Sequence, residues 1–456
     1  MRLPSLVLLL TTLLISGCAR KTGDETQASS AAPPAKSPAK ATTKKQPVVP
    51  EKPPLGQRQY GGKRLAEWVA EFNNIDPRGP EGTAAVDGLI ALVRDADVPL
   101  HTRTQAAILL GRIGRRAERA VPVFVEFLRR RKEPKGGRRK AEGGKRKTHN
   151  RSTLNSQLST FNSRRHAELM FSLKALTKLG PVAKSATPEL VRLVKDADWS
   201  VYVRGAAMEA LARIGSADSK AVATIVSMLT YAGDEGVSLS DRLFLRRFAA
   251  DAVAMIGPDA YVAIPSLRVC LRYNDSELRR RSVLALGAMR GKGRDGIAPL
   301  VDALVRDDSP AVRDAAGDAL AMLGPLALPE LRKLMKLDDA DAKARATLSL
   351  GKIGPPAKEA LPEIDYALDD DDGWVRINSA EAIWLISGNA DKAASAMVEG
   401  LRSRDRQIRI KSYRFFKTLG PKAKSIEPAL QRLLEDPRGE VRTAASKALQ
   451  AVRAKR

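Results

Sequence analysis

The sequence predicts an all-α protein, an α-α superhelix of about ten stacked helix pairs. Three observations carry this expectation. Glycines that close apolar helical runs recur at a nearly fixed interval, each interval repeats one order of local signals, and no strand-forming alternation is seen between Lys63 and Arg453. A unit of this length cannot bury its apolar face alone, so neighbouring units must stack.

The closing glycines are Gly114, Gly180, Gly215, Gly257, Gly324, Gly354, Gly388 and Gly420, with neighbouring spacings of 35, 42, 30, 34 and 32 where no unit is missed. One further unit ends near Gly291 or Gly293. Glycine closes a helix through the left-handed conformation, and the proline that often follows, as in Gly180-Pro181, Gly257-Pro258 and Gly324-Pro325, prevents continuation. Each unit opens on an Asp-containing turn, suited to capping the free N–H groups of the next helix. An aliphatic-Arg pair follows, at Val203-Arg204, Leu278-Arg279, Val312-Arg313, Val375-Arg376, Ile408-Arg409 and Val441-Arg442. Alanines spaced three and four apart then allow close helix approach. The second helix carries an early proline, as at Pro188, Pro265, Pro299, Pro329, Pro362 and Pro428, and an apolar stripe such as Val301, Leu304 and Val305.

This series of Asp, Val-Arg, Ala-Ala, Gly-Pro and Pro resembles the HEAT repeat family, specifically its short bacterial form, also found in phycobilin lyases. The resemblance covers residues 62–453 and implies a HEAT-repeat solenoid. Residues Lys63 to Phe72, around Leu65, Trp68, Val69 and Phe72, are expected to form an amphipathic cap, and a single helix near Arg438 to Val452 should close the stack. Departures are an insert before His166, a longer connection from Ala232 to Ser240, and Gly388, which lacks its proline.

The first residues set an expected compartment. Met1 and Arg2 precede an apolar stretch from Leu3 to Ile15, too short to span a bilayer and shaped like a secretory signal. It ends in Ile15-Ser16-Gly17-Cys18, which resembles the lipobox of bacterial lipoproteins. That resemblance implies removal of residues 1–17, lipidation of Cys18 and attachment to a membrane of the bacterial cell envelope, where several acyl chains would hold durably. Residues 18–61, rich in Pro, Ala and Lys, read as a disordered tether. The remaining cysteine, Cys270, sits in an apolar helical context and reads as core.

The net charge of +26 invites a nucleic-acid reading, but its placement weakens it. Ala19 to Arg64 carry +7 and Arg129 to Arg165 carry +12, so with Arg2 removed the rest of the chain holds only +6. The second segment, a low-complexity insert at 132–164, reads as a loop. Its candidate polyanion-binding residues are Arg129, Arg130, Arg131, Lys132, Arg138, Arg139, Lys140, Lys145, Arg146 and Lys147. No aromatic residues interleave with them as single-strand platforms require.

Motifs for chemistry are missing from the sequence. Three histidines, His101, His149 and His166, form no zinc spacing and no His-Glu pairs of the kind that hold iron in HEAT-type hydroxylases. There is no phosphate-cradling glycine loop and no nucleophile elbow. Asp369 to Asp372 read as a helix-capping acidic turn rather than a calcium loop. No catalytic, metal or cofactor residue is therefore assigned. The expected function is a monomeric, non-catalytic, membrane-anchored scaffold binding an unidentified protein, with binding of a polyanion or envelope surface through the insert as the alternative. A lyase of the phycobilin type, implied by the resemblance alone, would work in the cytoplasm and conflicts with the export signal.

Overall fold

The computed structural model describes residues 52–130, 150–215, 218–233 and 237–454, with the backbone alone for 150–162. The described helices belong to one compact unit, Pro53–Arg456. It opens on a two-residue antiparallel ribbon, β1 (Gln59–Tyr60) and β2 (Lys63–Arg64), followed by α1 (Leu65–Glu71) and α2 (Pro80–Arg94). Long and short helices then alternate: α3 (Leu100–Ile113) with α4 (Val121–Arg129), α5 (Asn150–Leu179) with α6 (Thr187–Lys195), α7 (Val201–Ile214) with α8 (Ser219–Leu229). The series continues with α9 (Leu239–Ile256) and α10 (Ile264–Cys270), α11 (Ser276–Ala288) and α12 (Ile297–Arg306), α13 (Pro310–Leu323) and α14 (Leu328–Leu334). It ends with α15 (Ala340–Ile353) and α16 (Leu361–Tyr366), α17 (Gly373–Ser387) and α18 (Ala390–Leu401), α19 (Arg406–Leu419) and α20 (Glu427–Arg432), and the single closing helix α21 (Gly439–Arg453). This is an all-α solenoid of stacked helix pairs.

The local signals act as their chemistry requires. Asp218, Asp275, Asp339, Asp372 and Asp405 accept backbone N–H groups at the first turns of α8, α11, α15, α17 and α19. The acidic run at Asp369 to Asp372 is such a turn: Asp372 caps α17, and Asp370 pairs with Lys343 at 2.5 Å. The glycine closure differs from the left-handed one expected. Gly114, Gly257, Gly324, Gly354 and Gly420 combine positive φ with ψ between −134° and −145°, the mirror image of extended backbone, and only then does a 3-10 turn lead into the short helix. Where Pro is missing after Gly388, the glycine is left-handed and α18 starts two residues later on an Asn389 cap.

Three sequence expectations need correction. Residues 53–61, expected within the tether, belong to the fold: Tyr60 is buried, and its carbonyl accepts the Trp68 indole N–H at 2.7 Å. Val69, expected in the cap's apolar face, is exposed, while Trp68 and Phe72 are buried. The insert expected as a loop at 132–164 is helical from Asn150 onward, because α5 extends back through it. Arg165 at its end is buried and lies against Glu168. Phe415 and Phe416 are both buried, and Cys270 is core as expected, its thiol pushed up to about 11 by burial.

Candidate interaction surface

The long helices form the tighter of two layers. At Gly287 of α11 an added Cβ would lie 2.6 Å from Ala319 Cα of α13, and at Gly351 of α15 one would lie 3.1 Å from Ala382 Cα of α17. At this distance side chains reach the neighbouring backbone. The Ser349 hydroxyl donates to Gly317 O at 2.9 Å, and Asn378 Nδ2 donates to Ala344 O at 3.0 Å. The short helices leave grooves between them instead, such as one of about 670 Å³ between α12 and α14 lined by Val301, Val305, Leu326 and Leu337.

The Arg of the aliphatic-Arg pair has a role that the sequence did not reveal. Its partner aliphatic residue is buried, and the guanidinium turns back to the carbonyls that precede its own helix. Nη1 of Arg279, Arg313, Arg376, Arg409 and Arg442 each donates to the carbonyl six residues earlier, at 2.5 to 2.9 Å. Arg204, and Arg103 that follows Thr102 in α3, use Nε to reach the carbonyl ten residues earlier, Val194 and Val93, at 2.8 and 2.9 Å. These carbonyls end the preceding helix or its turn, so each Arg ties the unit before it to its own. The recurring position of the Arg in most units was the signal, but only the folded geometry shows the acceptor.

Charged side chains on the long helices pair across units. Arg247 of α9 bonds Asp275 at 3.0 Å, Arg281 of α11 pairs with Asp251, and Arg345 of α15 bonds Asp314 of α13 at 2.8 Å. Lys352 pairs with Asp318, and Lys411 of α19 meets Glu381 of α17 at 2.8 Å. Arg279 grips Asp307 with two bonds of 2.8 and 2.9 Å. Burial would raise the Asp307 pKa, but Arg279 and the Ser309 N–H hold it below the usual carboxylate range. Glu277, bonded by Arg280 and Arg281, is drawn down to about 2 despite partial burial.

Of the candidate polyanion-binding residues, the structure describes Arg129 and Arg130. Arg129 bonds Glu189 at 3.0 Å; Arg130 bonds Glu126 at 2.8 Å and lies 4.6 Å from the Phe127 ring centroid. Both are engaged at the end of α4. Arg131, Lys132, Arg138, Arg139, Lys140, Lys145, Arg146, Lys147 and the lipidation candidate Cys18 lie outside the described residues. Among the described residues no group of three or more His, Cys, Asp or Glu could hold a metal ion, and no helix is long and apolar enough to cross a membrane.

Residues 244–321 and 297–384, from within α9 to within α17, match the family model described as HEAT repeats. No protein of curated function matches the chain. Among solved structures, an engineered protein is 21% identical, covering 81% of this chain and 99% of that one, with a TM-score of 0.36. Kap95p, in the structure where its binding induces the switch loops of RanGDP to adopt the GTP-bound conformation, is 12% identical over 85% of this chain and 56% of that one, with a TM-score of 0.45. A chain of the Kap95:Nup1 complex is 11% identical over 85% and 53%, with a TM-score of 0.46. The chain spans about half the length of these last two.

Proposed function

We propose that this protein is a non-catalytic scaffold that binds a protein partner on its solenoid while a lipid on Cys18 tethers it to a membrane of the bacterial cell envelope. The observation that carries the binding half is the long-helix layer. Its backbone contacts, back-bonded arginines and repeat-to-repeat ion pairs hold exposed side chains of successive helices in fixed register, which is the preorganisation a recognition surface needs. The tethering half rests on the sequence from Met1 to Cys18.

Crosslinking the intact protein in its native envelope tests the first half: crosslinks concentrated on exposed long-helix residues are expected, and crosslinks confined to the insert would overturn it in favour of the polyanion or envelope-surface alternative. Cys18→Ala tests the second. The variant is expected to leave the membrane fraction or to retain its signal segment, and processed Cys18→Ala that stays membrane-bound would refute the lipid anchor.

A further inference from the structure

The pairing of exposed charges along the long-helix layer thins at one end, where the α3–α5 ion pair of Arg103 with Glu168 is buried. From α9 to α19 many exposed charges on this layer meet an opposite charge on the next long helix. On α3, α5 and α7 the exposed Arg112, Lys174, Lys178 and Arg213 have no hydrogen-bond or ion-pair partner among the described residues, and Glu209 is the one exposed acid on the described side chains of these helices, itself unpaired among them. Three of the four occupy one register. Arg112, Lys178 and Arg213 each stand two residues before a helix-closing glycine, Gly114, Gly180 and Gly215, so they fall at one level on three consecutive helices.

The first two are neighbours in space. A Cβ added at Gly111 would lie 2.9 Å from Lys178 Cβ and 3.3 Å from Ala175 Cα, which places Arg112 and Lys178 on abutting turns. Equivalent positions further along read Met255, Met322 and Lys352, the last paired with Asp318. A row of like charges without counter-ions among the described residues lowers the stability of the fold slightly, whereas several charges further along the layer are paired. The exposed Ile108, one turn before Arg112, adds an apolar contact beside the row.

We propose that this row on α3, α5 and α7 is the docking site for an extended acidic segment of the partner protein, crossing the three helices with carboxylates about three residues apart. The proposal rests on the scaffold reading and names the chemistry of its partner. Packed helices stand roughly 8–10 Å apart. A chain in the extended polyproline II conformation advances about 3.1 Å per residue with three residues per turn, so every third side chain returns to one face about 9 Å further on and meets the next helix. Carboxylates at that spacing bond Arg112, Lys178 and Arg213 in turn, as charge-assisted contacts that the free protein leaves unmade. Contiguous carboxylates of the same number point in three directions around the chain and match the row less well.

The test uses the full-length protein and two fluorescent nine-residue peptides of one composition, with glutamates either at every third position or contiguous, titrated by anisotropy at low salt. The spaced peptide is expected to bind at least tenfold more tightly, and the triple variant Arg112→Glu/Lys178→Glu/Arg213→Glu to lose that binding. All three residues are exposed, and unchanged helicity and denaturation midpoint verify that the variant is folded. Lys358→Glu/Lys424→Glu, exposed in turns elsewhere, is expected to bind as the parent does. Three outcomes overturn the proposal: equal binding of both peptides, binding lost on neutralising Lys145, Arg146 and Lys147 but kept in the triple variant, or row-dependent binding of phosphatidylglycerol vesicles with none of the spaced peptide. Envelope crosslinks mapping to α13–α19 alone would sink this site while leaving the scaffold reading in place.

Discussion

Replacing Arg279 with Met removes one of the ties between units while keeping much of the apolar stem. The wild-type guanidinium bonds Tyr273 O at 2.9 Å and both Asp307 oxygens at 2.8 and 2.9 Å, and the Asp307 side chain is only 9% exposed. Removing one partner of such a pair costs about 3–5 kcal/mol because the other charge stays buried alone. Asp307 keeps its bond from the Ser309 N–H at 2.9 Å, which places the expected cost near the lower bound, about 3 kcal/mol. Stability in a stack of units is a sum of local and nearest-neighbour terms, so the loss should appear first where α11 meets α13. Hydrogen exchange of amides in those two helices should accelerate on the order of 100-fold, with α3 unchanged. The pairing itself is isolated by a cycle: Arg279→Met/Asp307→Asn should be less destabilised by urea than the sum of the singles, by about 1.5 kcal/mol or more. Additive singles, or a cost below about 1 kcal/mol for Arg279→Met, would refute the assignment of this Arg as the tie.

Acid should weaken the same region. Glu277, Asp275 and Asp307 have folded pKa values below their ordinary ones, so their stabilisation is fully present above about pH 4.5 and is lost as pH falls towards about 2, where Glu277 titrates. Denaturation midpoints measured between pH 6 and 2.5 should fall, and Glu277→Gln should flatten the fall; an identical profile in the variant would argue against this. Gly324→Ala forces a side chain onto φ 63°, ψ −134° with nothing within 4 Å of the new Cβ, so any cost is conformational, about 1–3 kcal/mol, whereas Gly291→Ala, without positive φ and equally unobstructed, should be close to neutral by thermal denaturation. Deleting Lys135 to Lys147 leaves every described contact in place and should alter stability by at most about 1–2 kcal/mol, since loop-closure entropy varies slowly with length. Loss of a cooperative unfolding transition on that deletion would show a structural element there.

Much of the fold was legible because it is built from short-range rules repeated many times. Capping by Asp275 or Asp372, closure at Gly324 and the burial of Val312 or Val375 each depend on a few adjacent residues, and repetition averaged out any single misreading. What escaped the sequence was set by three-dimensional proximity. The start of α5 at Asn150 is hidden because Ser, Thr and Asn dominate its first turns and its apolar periodicity is weak there. The acceptors of Arg279 and Arg103 are carbonyls, which carry no residue signature. The basic row on α3, α5 and α7 is invisible in a charge count because its members are 66 and 35 residues apart, and only the register fixed by the closing glycines brings them level.

That register needs a directional term, and the paired charges supply it. The faces by which the long helices touch are rich in alanine and glycine, as at Gly287 against Ala319, and such smooth faces discriminate weakly between alignments one turn apart. A slip of one turn moves a helix by about 5.4 Å, enough to break any ion pair. Asp314 with Arg345 and Asp318 with Lys352 form two rungs between α13 and α15, the acids one turn apart on α13 and the bases about two turns apart on α15, so a slip that re-forms one rung leaves the other broken. Their partners stand 31 and 34 residues apart in sequence, which is the period of the repeat itself. Each exposed pair contributes little free energy alone, about 0–1 kcal/mol. Two rungs at fixed spacing nevertheless single out one alignment, and so the charges that raise the polarity of this layer also hold its exposed side chains level from one unit to the next.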